Sequence, residues 1–224
     1  MPTSKTTPSK RTTRILIVDD HPIVRRGLKE LISHSADLEV CGEAADLADA
    51  LQQVKETRPD LVVVDISLKS GSGIELIKQI KAMAPHIKML VSSVYDESLY
   101  AERALKAGAL GYINKEEALD NIIGAIRQVL SGRVYLSGEM TSRMLHRSLG
   151  GEKSERSSIE TLSSRELEIF ELIGRGFTTS QIASKLYRSI KTIEAHRESI
   201  KLKLNLTNSA QLARNAVQWV LENS

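Results

Sequence analysis

Asp19 and Asp20 stand side by side at the carboxyl end of the apolar run Ile15-Leu16-Ile17-Val18, and Asp65 closes a second run, Leu61-Val62-Val63-Val64. Ser92 and Ser93 end a third run, and Lys115 follows a fourth, Gly111-Tyr112-Ile113. Singly, each has an ordinary explanation. An aspartate pair can be a solvated turn that caps the next helix, and a lysine can be a surface charge. Together they make three carboxylates, a hydroxyl and an ammonium, all at the ends of apolar runs. Carboxylates gathered at one site cannot all stay ionised without a cation. A hard divalent ion with oxygen ligands, most simply Mg2+, relieves the repulsion. One aspartate can then act as a nucleophile on a phosphoryl group and form an acyl phosphate. The metal and the lysine would neutralise charge on the transferred group, and the Ser93 hydroxyl would hydrogen-bond it.

The elements that bring these residues together can be read from apolar periodicity. Strand-like runs cover 14–19, 38–42, 61–65, 88–92 and 111–113, with helix-period stretches near 22–34, 46–57, 74–84, 97–108 and 118–131. Five short strands, each followed by a helix, predict a parallel sheet covered on both faces. Ligands of such sheets bind outside the carboxyl ends of the strands. That rule collects Asp19, Asp20, Asp65, Ser93 and Lys115 on one rim.

The 224 residues suffice for two modest domains. Hydrophobic residues make up 41% and aromatic residues 4%, so the cores are aliphatic. Cys41 is the single cysteine, which excludes an intrachain disulfide and fits a reducing, cytoplasmic compartment. No apolar run reaches membrane-spanning length. Residues 1–13, MPTSKTTPSKRTT, lack the apolar core of a secretory signal and read as a disordered polar tail. The net charge of +3 divides unevenly: residues 14–132 carry 14 basic and 18 acidic groups, residues 133–224 carry 14 and 10. The basic half is the candidate for a polyanionic partner.

That half loses the strand–helix alternation. Residues 133–161 are polar, contain Gly150-Gly151 and "EKSERSS", and read as a linker with room for a short helix at 137–148. Residues 162–224 read as a small all-α unit with helices at 164–174, 179–187, 190–204 and 208–222. Ser163-x-x-Glu166, Thr178-x-x-Gln181 and Asn208-x-x-Gln211 have capping-box spacing or a near variant of it, Ser189 can cap the third helix, and Gly174 and Gly176 end the first. The second and third helices, joined by a turn at Tyr187-Arg188-Ser189, read as a helix-turn-helix. On the third, Ile193, Ile200 and Leu204 form an inward stripe and Glu194, Glu198 and Lys201 an outward face. Lys185, Arg188, Lys191, Arg197 and Lys203 lie around it. A solvated charged face has the same pattern; the helix-turn-helix spacing and the clustered cations favour DNA.

Residues 14–132 resemble a response-regulator receiver domain through "VDD" (18–20), "VVVD" (62–65) with Gly73 and Glu75 beyond it, "SVYDE" (93–97) and "AGALGYINK" (107–115). Residues 162–218 resemble a LuxR-type DNA-binding domain through "LSSRELEIFELIGRG", "QIASKL" and "KTIEAHRESIKLKL". Together they are similar to the NarL/FixJ architecture. The resemblance implies a flavodoxin-like α/β receiver, a five-stranded parallel sheet of order 2-1-3-4-5, followed by a four-helix helix-turn-helix domain. It implies Asp65 as phosphoacceptor, and Asp19, Asp20, Asp65 and the backbone carbonyl of Ser67 as metal ligands. Ser93 and Tyr112 would be the switch pair and Lys115 the phosphate-binding lysine. The third helix would enter the major groove, with Lys191, Thr192, Arg197, Lys201 and Lys203 on phosphates and Glu194, Ala195 and Glu198 facing base edges. A glutamate repels phosphate but can accept from cytosine N4, so monomer affinity is expected to be modest and stable binding to need a homodimer on two half-sites. In the last helix Leu212, Ala216, Trp219 and Val220 offer an apolar face, for packing within the domain or for a dimer contact. One departure stands out. The family carries a proline four residues after the phosphoacceptor; here Lys69 loosens that loop and adds a cation, which bears on phosphorylation kinetics.

The expectation is a cytoplasmic two-component response regulator, phosphorylated on Asp65 by a sensor histidine kinase with Mg2+, that binds DNA as a transcription factor. It would not be an enzyme beyond promoting its own phosphotransfer and slow dephosphorylation. The alternative is a phosphorylation-independent DNA-binding regulator whose receiver is a protein-interaction module. An aspartyl-phosphate phosphatase of the haloacid dehalogenase type needs a second acid two positions after the nucleophile, where this chain has Ser67. A P-loop nucleotidase needs a G-x-x-x-x-G-K-[ST] motif, which the sequence lacks.

Overall fold

Each apolar run becomes a strand of one sheet. The computed structural model describes residues 12–68, 71–149 and 158–222. The first domain runs β1 (Thr13–Val18), α1 (Pro22–Ser33), β2 (Leu38–Ala44), α2 (Leu47–Thr57), β3 (Leu61–Val64), β4 (Ser67–Leu68), β5 (Gly71–Ser72), α3 (Gly73–Met83), β6 (Lys88–Ser93), α4 (Glu97–Ala107), β7 (Gly111–Asn114) and α5 (Lys115–Leu130). The main sheet has the order β2-β1-β3-β6-β7 with every pair parallel. This is the expected flavodoxin-like order. The small antiparallel pair β4–β5 is an addition that the sequence did not suggest.

Alternate strand residues go to opposite faces, and both faces are apolar. Leu16, Val18, Val62, Val64, Met89 and Val91 pack under α2, α3 and α4. Ile15, Ile17, Leu61, Val63 and Leu90 pack under α1 and α5. All of these strand side chains are buried, which is why the strands read as unbroken aliphatic runs. Helix starts follow their caps. Asp46, Ser72, Asp96 and Asn114 each accept a backbone N–H in the first turn of α2, α3, α4 and α5. The Asn114 cap starts α5 at Lys115 rather than at residue 118, so the lysine sits where the strand becomes the helix.

The second half contributes α6 (Gly138–Ser148), a short 3-10 turn (Ser158–Thr161), α7 (Ser164–Gly174), α8 (Thr179–Lys185), α9 (Ile190–Lys203) and α10 (Ser209–Glu222). The Ser163 and Thr178 capping boxes form in full, and Ser189 and Asn208 accept from Thr192 N and Gln211 N. Tyr187, at φ 51°, turns the chain between α8 and α9. Gly174 lets α7 and α10 touch: a Cβ there would lie 2.3 Å from the Ala216 carbonyl oxygen. Leu167, Ile169, Phe170, Ile182, Ile193, Ile200, Leu212 and Ala216 form the core of this unit.

Residues 133–149 are more than a tether. Tyr135 pairs with Gly111 as a short bridge on the outer edge of β7. Its N–H donates to Leu110 O at 3.0 Å, and Tyr112 N–H donates to Tyr135 O at 2.9 Å. Ser137 N–H donates to Glu97 at 2.9 Å, which ties the start of α6 to α4. Most of the polar tail, Lys69 and residues 150–157 lie outside the described residues.

Candidate functional site

β1 and β3 are neighbours, paired Val18 to Val64, so Asp19 and Asp65 emerge together from their carboxyl ends. The chain holds both backbones in register: Asp65 N–H donates to Val18 O at 2.8 Å and Asp19 N–H to Ala44 O at 3.1 Å. Asp19, Asp20 and Asp65 are all buried. Gly73 makes room on the far side, since a Cβ there would lie 2.0 Å from the carbonyl oxygen of Asp65.

Lys115 reaches across from the end of β7. Its Nζ lies 2.6 Å from Asp19 Oδ2 and 2.6 Å from Asp65 Oδ2. Burial pushes the Asp65 carboxyl up; Lys115 pulls it back and Asp19 pushes it further, leaving it at about 6. Burial alone would lower the Lys115 ammonium, but Asp65 and Asp19 outweigh that and hold it above its ordinary value. His21 guards the mouth of the pocket. Its Nδ1 is 2.7 Å from Asp20 and 3.3 Å from Asp19, and its backbone N–H donates to Asp19 at 2.9 Å. Arg25 donates to the Asp19 carbonyl at 2.6 Å.

Ligand atoms of Asp19, Asp20, His21 and Asp65 all lie within 4.8 Å of one another. Among the described residues three buried carboxylates face the Lys115 ammonium, which leaves an excess of negative charge. The oxygen-rich donor set fits a hard divalent cation better than a soft one. Ser67 adds its backbone two residues beyond Asp65, with its N–H 3.4 Å from Asp65 Oδ1.

The sequence-derived switch pair lies next door. Ser93 is buried at the end of β6, within 3.4 Å of the Tyr95 N–H that donates to it. Tyr112 is buried on β7, and its hydroxyl donates to the Tyr95 carbonyl at 2.7 Å.

From here the site runs into the second domain, through contacts that the sequence did not reveal. Glu168 of α7 accepts from the Ser67 hydroxyl at 2.9 Å and from the Tyr95 hydroxyl at 2.7 Å, and pairs with Arg165. Glu171, one turn on, pairs with Arg175 at 2.6 Å and faces the Tyr100 hydroxyl at 3.5 Å. Burial pushes the Glu171 carboxyl and the Tyr95 hydroxyl up. Arg103 of α4 donates to the carbonyls of Leu162 and Ile159. Tyr95 stacks on Tyr100 with centroids 5.0 Å apart. Beside this seam, Trp219 and Val220 of α10 line a crevice of about 200 Å3 with Val94, Leu99 and Asn114.

The candidate DNA face lies on α9. Lys191, Glu194, Ala195 and Glu198 are exposed, while Thr192 and Arg197 are half-buried. Two of the lysines expected on phosphates have partners within the domain. Lys203 Nζ pairs with Glu166 at 2.6 Å, because the end of α9 packs toward α7, and Lys201 pairs with Glu198 at 2.9 Å. Burial would raise the Glu166 carboxyl, but Lys203, Ser199 and the Ser163 backbone outweigh it and hold it at about 2. On the last helix Leu212 and Ala216 take the packing alternative, fully buried against their own domain, and as dimerisation candidates they offer nothing to a second copy, while Trp219 and Val220 stay half-exposed and Trp219 packs on Phe170.

Comparison with known proteins adds the family. Residues 15–127 match the family described as "Response regulator receiver domain", and residues 160–216 match "Bacterial regulatory proteins, luxR family". The chain is similar to the oxygen regulatory protein NreC of Staphylococcus epidermidis, 36% identical over 211 residues, covering 92% of this chain and 97% of the relative. A structure of RcsB from Salmonella enterica serovar Typhimurium, bound to promoter rprA with the phosphomimetic BeF3-, aligns with a TM-score of 0.60 and 28% identity over 91% of this chain and 98% of that one. A structure of two RcsB dimers on two parallel DNAs aligns with a TM-score of 0.56 and 26% identity over 95% and 99%.

Proposed function

This chain belongs to the response regulators that join a receiver domain to a LuxR-type DNA-binding domain, and on that premise we propose that a sensor histidine kinase phosphorylates Asp65 and thereby controls its DNA binding. The observation that carries this reading is the buried Asp65 carboxylate at a strand end, with the Lys115 ammonium 2.6 Å from it and 2.6 Å from Asp19. An Asp65 oxygen attacks phosphorus, the P–N bond of the kinase phosphohistidine breaks, and its electron pair leaves with the imidazole. Lys115 neutralises charge gathering on the phosphoryl oxygens. Asp19, Asp20, Asp65 and the Ser67 carbonyl would hold a divalent ion such as Mg2+, which supplies further positive charge there. The product is an acyl phosphate that water cleaves slowly, so the chain serves as a phosphotransfer substrate rather than a turnover enzyme.

The Ser93 hydroxyl would hydrogen-bond the new phosphoryl group, and Tyr112 would follow it. Tyr112 holds the Tyr95 backbone, and Tyr95 and Ser67 both hold Glu168. Movement at Asp65 therefore loosens α7 and biases the two domains toward an open arrangement. The open form binds DNA as a homodimer. No helix among the described residues is long and apolar enough to cross a membrane. We place the protein in the cytoplasm, with the kinase domain and the DNA.

Intact mass after incubation with Mg2+ and acetyl phosphate tests the acceptor: wild type gains one phosphoryl group and Asp65→Asn gains none. Gel shifts on promoter DNA test the coupling. Equal affinity for phosphorylated wild type and Asp65→Asn would leave a phosphorylation-independent regulator as the better reading.

A further inference from the structure

We propose that Glu194 sets the DNA sequence preference of this chain by accepting a hydrogen bond from a cytosine amino group in the major groove, an assignment that rests on α8 and α9 being the DNA-binding helices. In a helix-turn-helix the second helix lies in the major groove and its N-terminal residues meet base edges. Ser189 caps α9 by accepting from Thr192 N–H at 3.1 Å, so the helix begins at Ile190 and Glu194 stands in its second turn. Ile193 and Ile200 are fully buried, which turns Glu194, Ala195 and Glu198 outward.

The chemistry of the outward face is then restrictive. A carboxylate only accepts hydrogen bonds. In the major groove guanine presents two acceptors and thymine one, adenine pairs its donor with a neighbouring acceptor, and cytosine offers an amino donor alone. Cytosine is the edge that a carboxylate fits without facing a lone pair. Of the glutamates on and beneath α9, Glu198 is neutralised by Lys201 at 2.9 Å, and Glu166 is held by Lys203 and Ser199, both at 2.6 Å. Glu194 has no hydrogen bond or ion pair among the described residues. Exposed Lys191, one turn earlier on α9, and exposed Lys185 and Arg188 at the end of α8 and in the turn add positive charge to the helix-turn-helix that offsets the repulsion of Glu194 from the phosphates.

The test is selection from a randomised duplex pool with the full chain, treated with acetyl phosphate and Mg2+, as wild type, Glu194→Ala and Glu194→Gln. Wild type is expected to return half-sites with cytosine fixed at one position. Glu194→Ala is expected to relax that position, with discrimination falling about tenfold, and Glu194→Gln to move it to adenine, whose donor–acceptor pair matches an amide. The side chain is exposed, so unchanged melting of both variants separates recognition from folding. Return of the wild-type motif by either variant overturns the proposal while leaving the DNA-binding reading standing. A wild-type chain that enriches no motif overturns both.

Discussion

Ser67 and Glu168 lie 101 residues apart in sequence, and their side chains meet at 2.9 Å across the seam between the two domains. Ser67 is two residues beyond Asp65, so the strand end that carries this buried carboxylate also holds the first helix of the DNA-binding domain. Removing the carboxylate in Glu168→Ala leaves the Ser67 and Tyr95 hydroxyls and the Arg165 guanidinium without their acceptor. That is expected to cost docking about 2 kcal/mol, roughly thirtyfold in the ratio of docked to open chain. Unphosphorylated Glu168→Ala should bind DNA more tightly than wild type and show a larger radius of gyration by small-angle scattering. Unchanged affinity and radius would show that the seam does not restrain DNA binding.

Lys115 is the cation that lets Asp19 and Asp65 stay together in a buried pocket. Lys115→Met leaves both carboxylates uncompensated and is expected to destabilise the receiver by about 3 kcal/mol. The variant should then gain more from a divalent cation than wild type does. The measurement is the shift in melting temperature on adding millimolar Mg2+. An equal shift in the two proteins would show that the ammonium and the ion do not share a role.

Glu166 predicts the acid limb of stability for the helical domain. Its carboxyl is held at about 2, below its unfolded value of 4.5, so the folded state favours the charged form. The contribution is fully present above pH 4.5 and is lost as pH falls toward 2. Glu166→Gln should remove about 1 kcal/mol at neutral pH, since Lys203 is partly exposed and solvent screens the pair, and should flatten that limb. The sole tryptophan, Trp219, packs on Phe170 with centroids 5.6 Å apart, so its fluorescence reports this domain during denaturant unfolding.

Gly73→Ala tests how closely α3 packs against the backbone of Asp65. The added methyl would collide with the Asp65 carbonyl oxygen at 2.0 Å, and backbone cannot yield as a flexible side chain does. The expected result is a receiver destabilised by about 2 kcal/mol that takes up less phosphoryl from acetyl phosphate. Normal uptake and stability would contradict the packing described at this strand end.

The strands and the rim of acidic residues were legible because aliphatic runs and strand-end polar groups are local signals, whereas the order of the strands came only with the resemblance to receiver domains. Helix starts were less so. α5 begins at Lys115 because Asn114 caps it, a detail that apolar periodicity does not carry. The seam was not legible at all. Glu168 and Glu171 look like surface acids on an amphipathic helix until α4, Ser67 and Tyr95 bury them, and their partners sit 71 to 101 residues earlier. The same blindness affected charges and faces. Lys203 reads as a phosphate ligand until Glu166 is placed beneath it, and Leu212 and Ala216 read equally as a packed face or a dimer face until α7 covers them.

The bridge between Tyr135 and Gly111 has a consequence for where the receiver ends. An open sheet edge is a row of unsatisfied amides and carbonyls that templates foreign strands. Here the residues just past α5 occupy that row at β7, with bonds of 3.0 and 2.9 Å to Leu110 and Tyr112. A receiver fragment cut at Gly132, the boundary suggested by the loss of strand–helix alternation, would bare this edge and should aggregate on concentration. One extended through Ser137 keeps its own guard and should stay monodisperse.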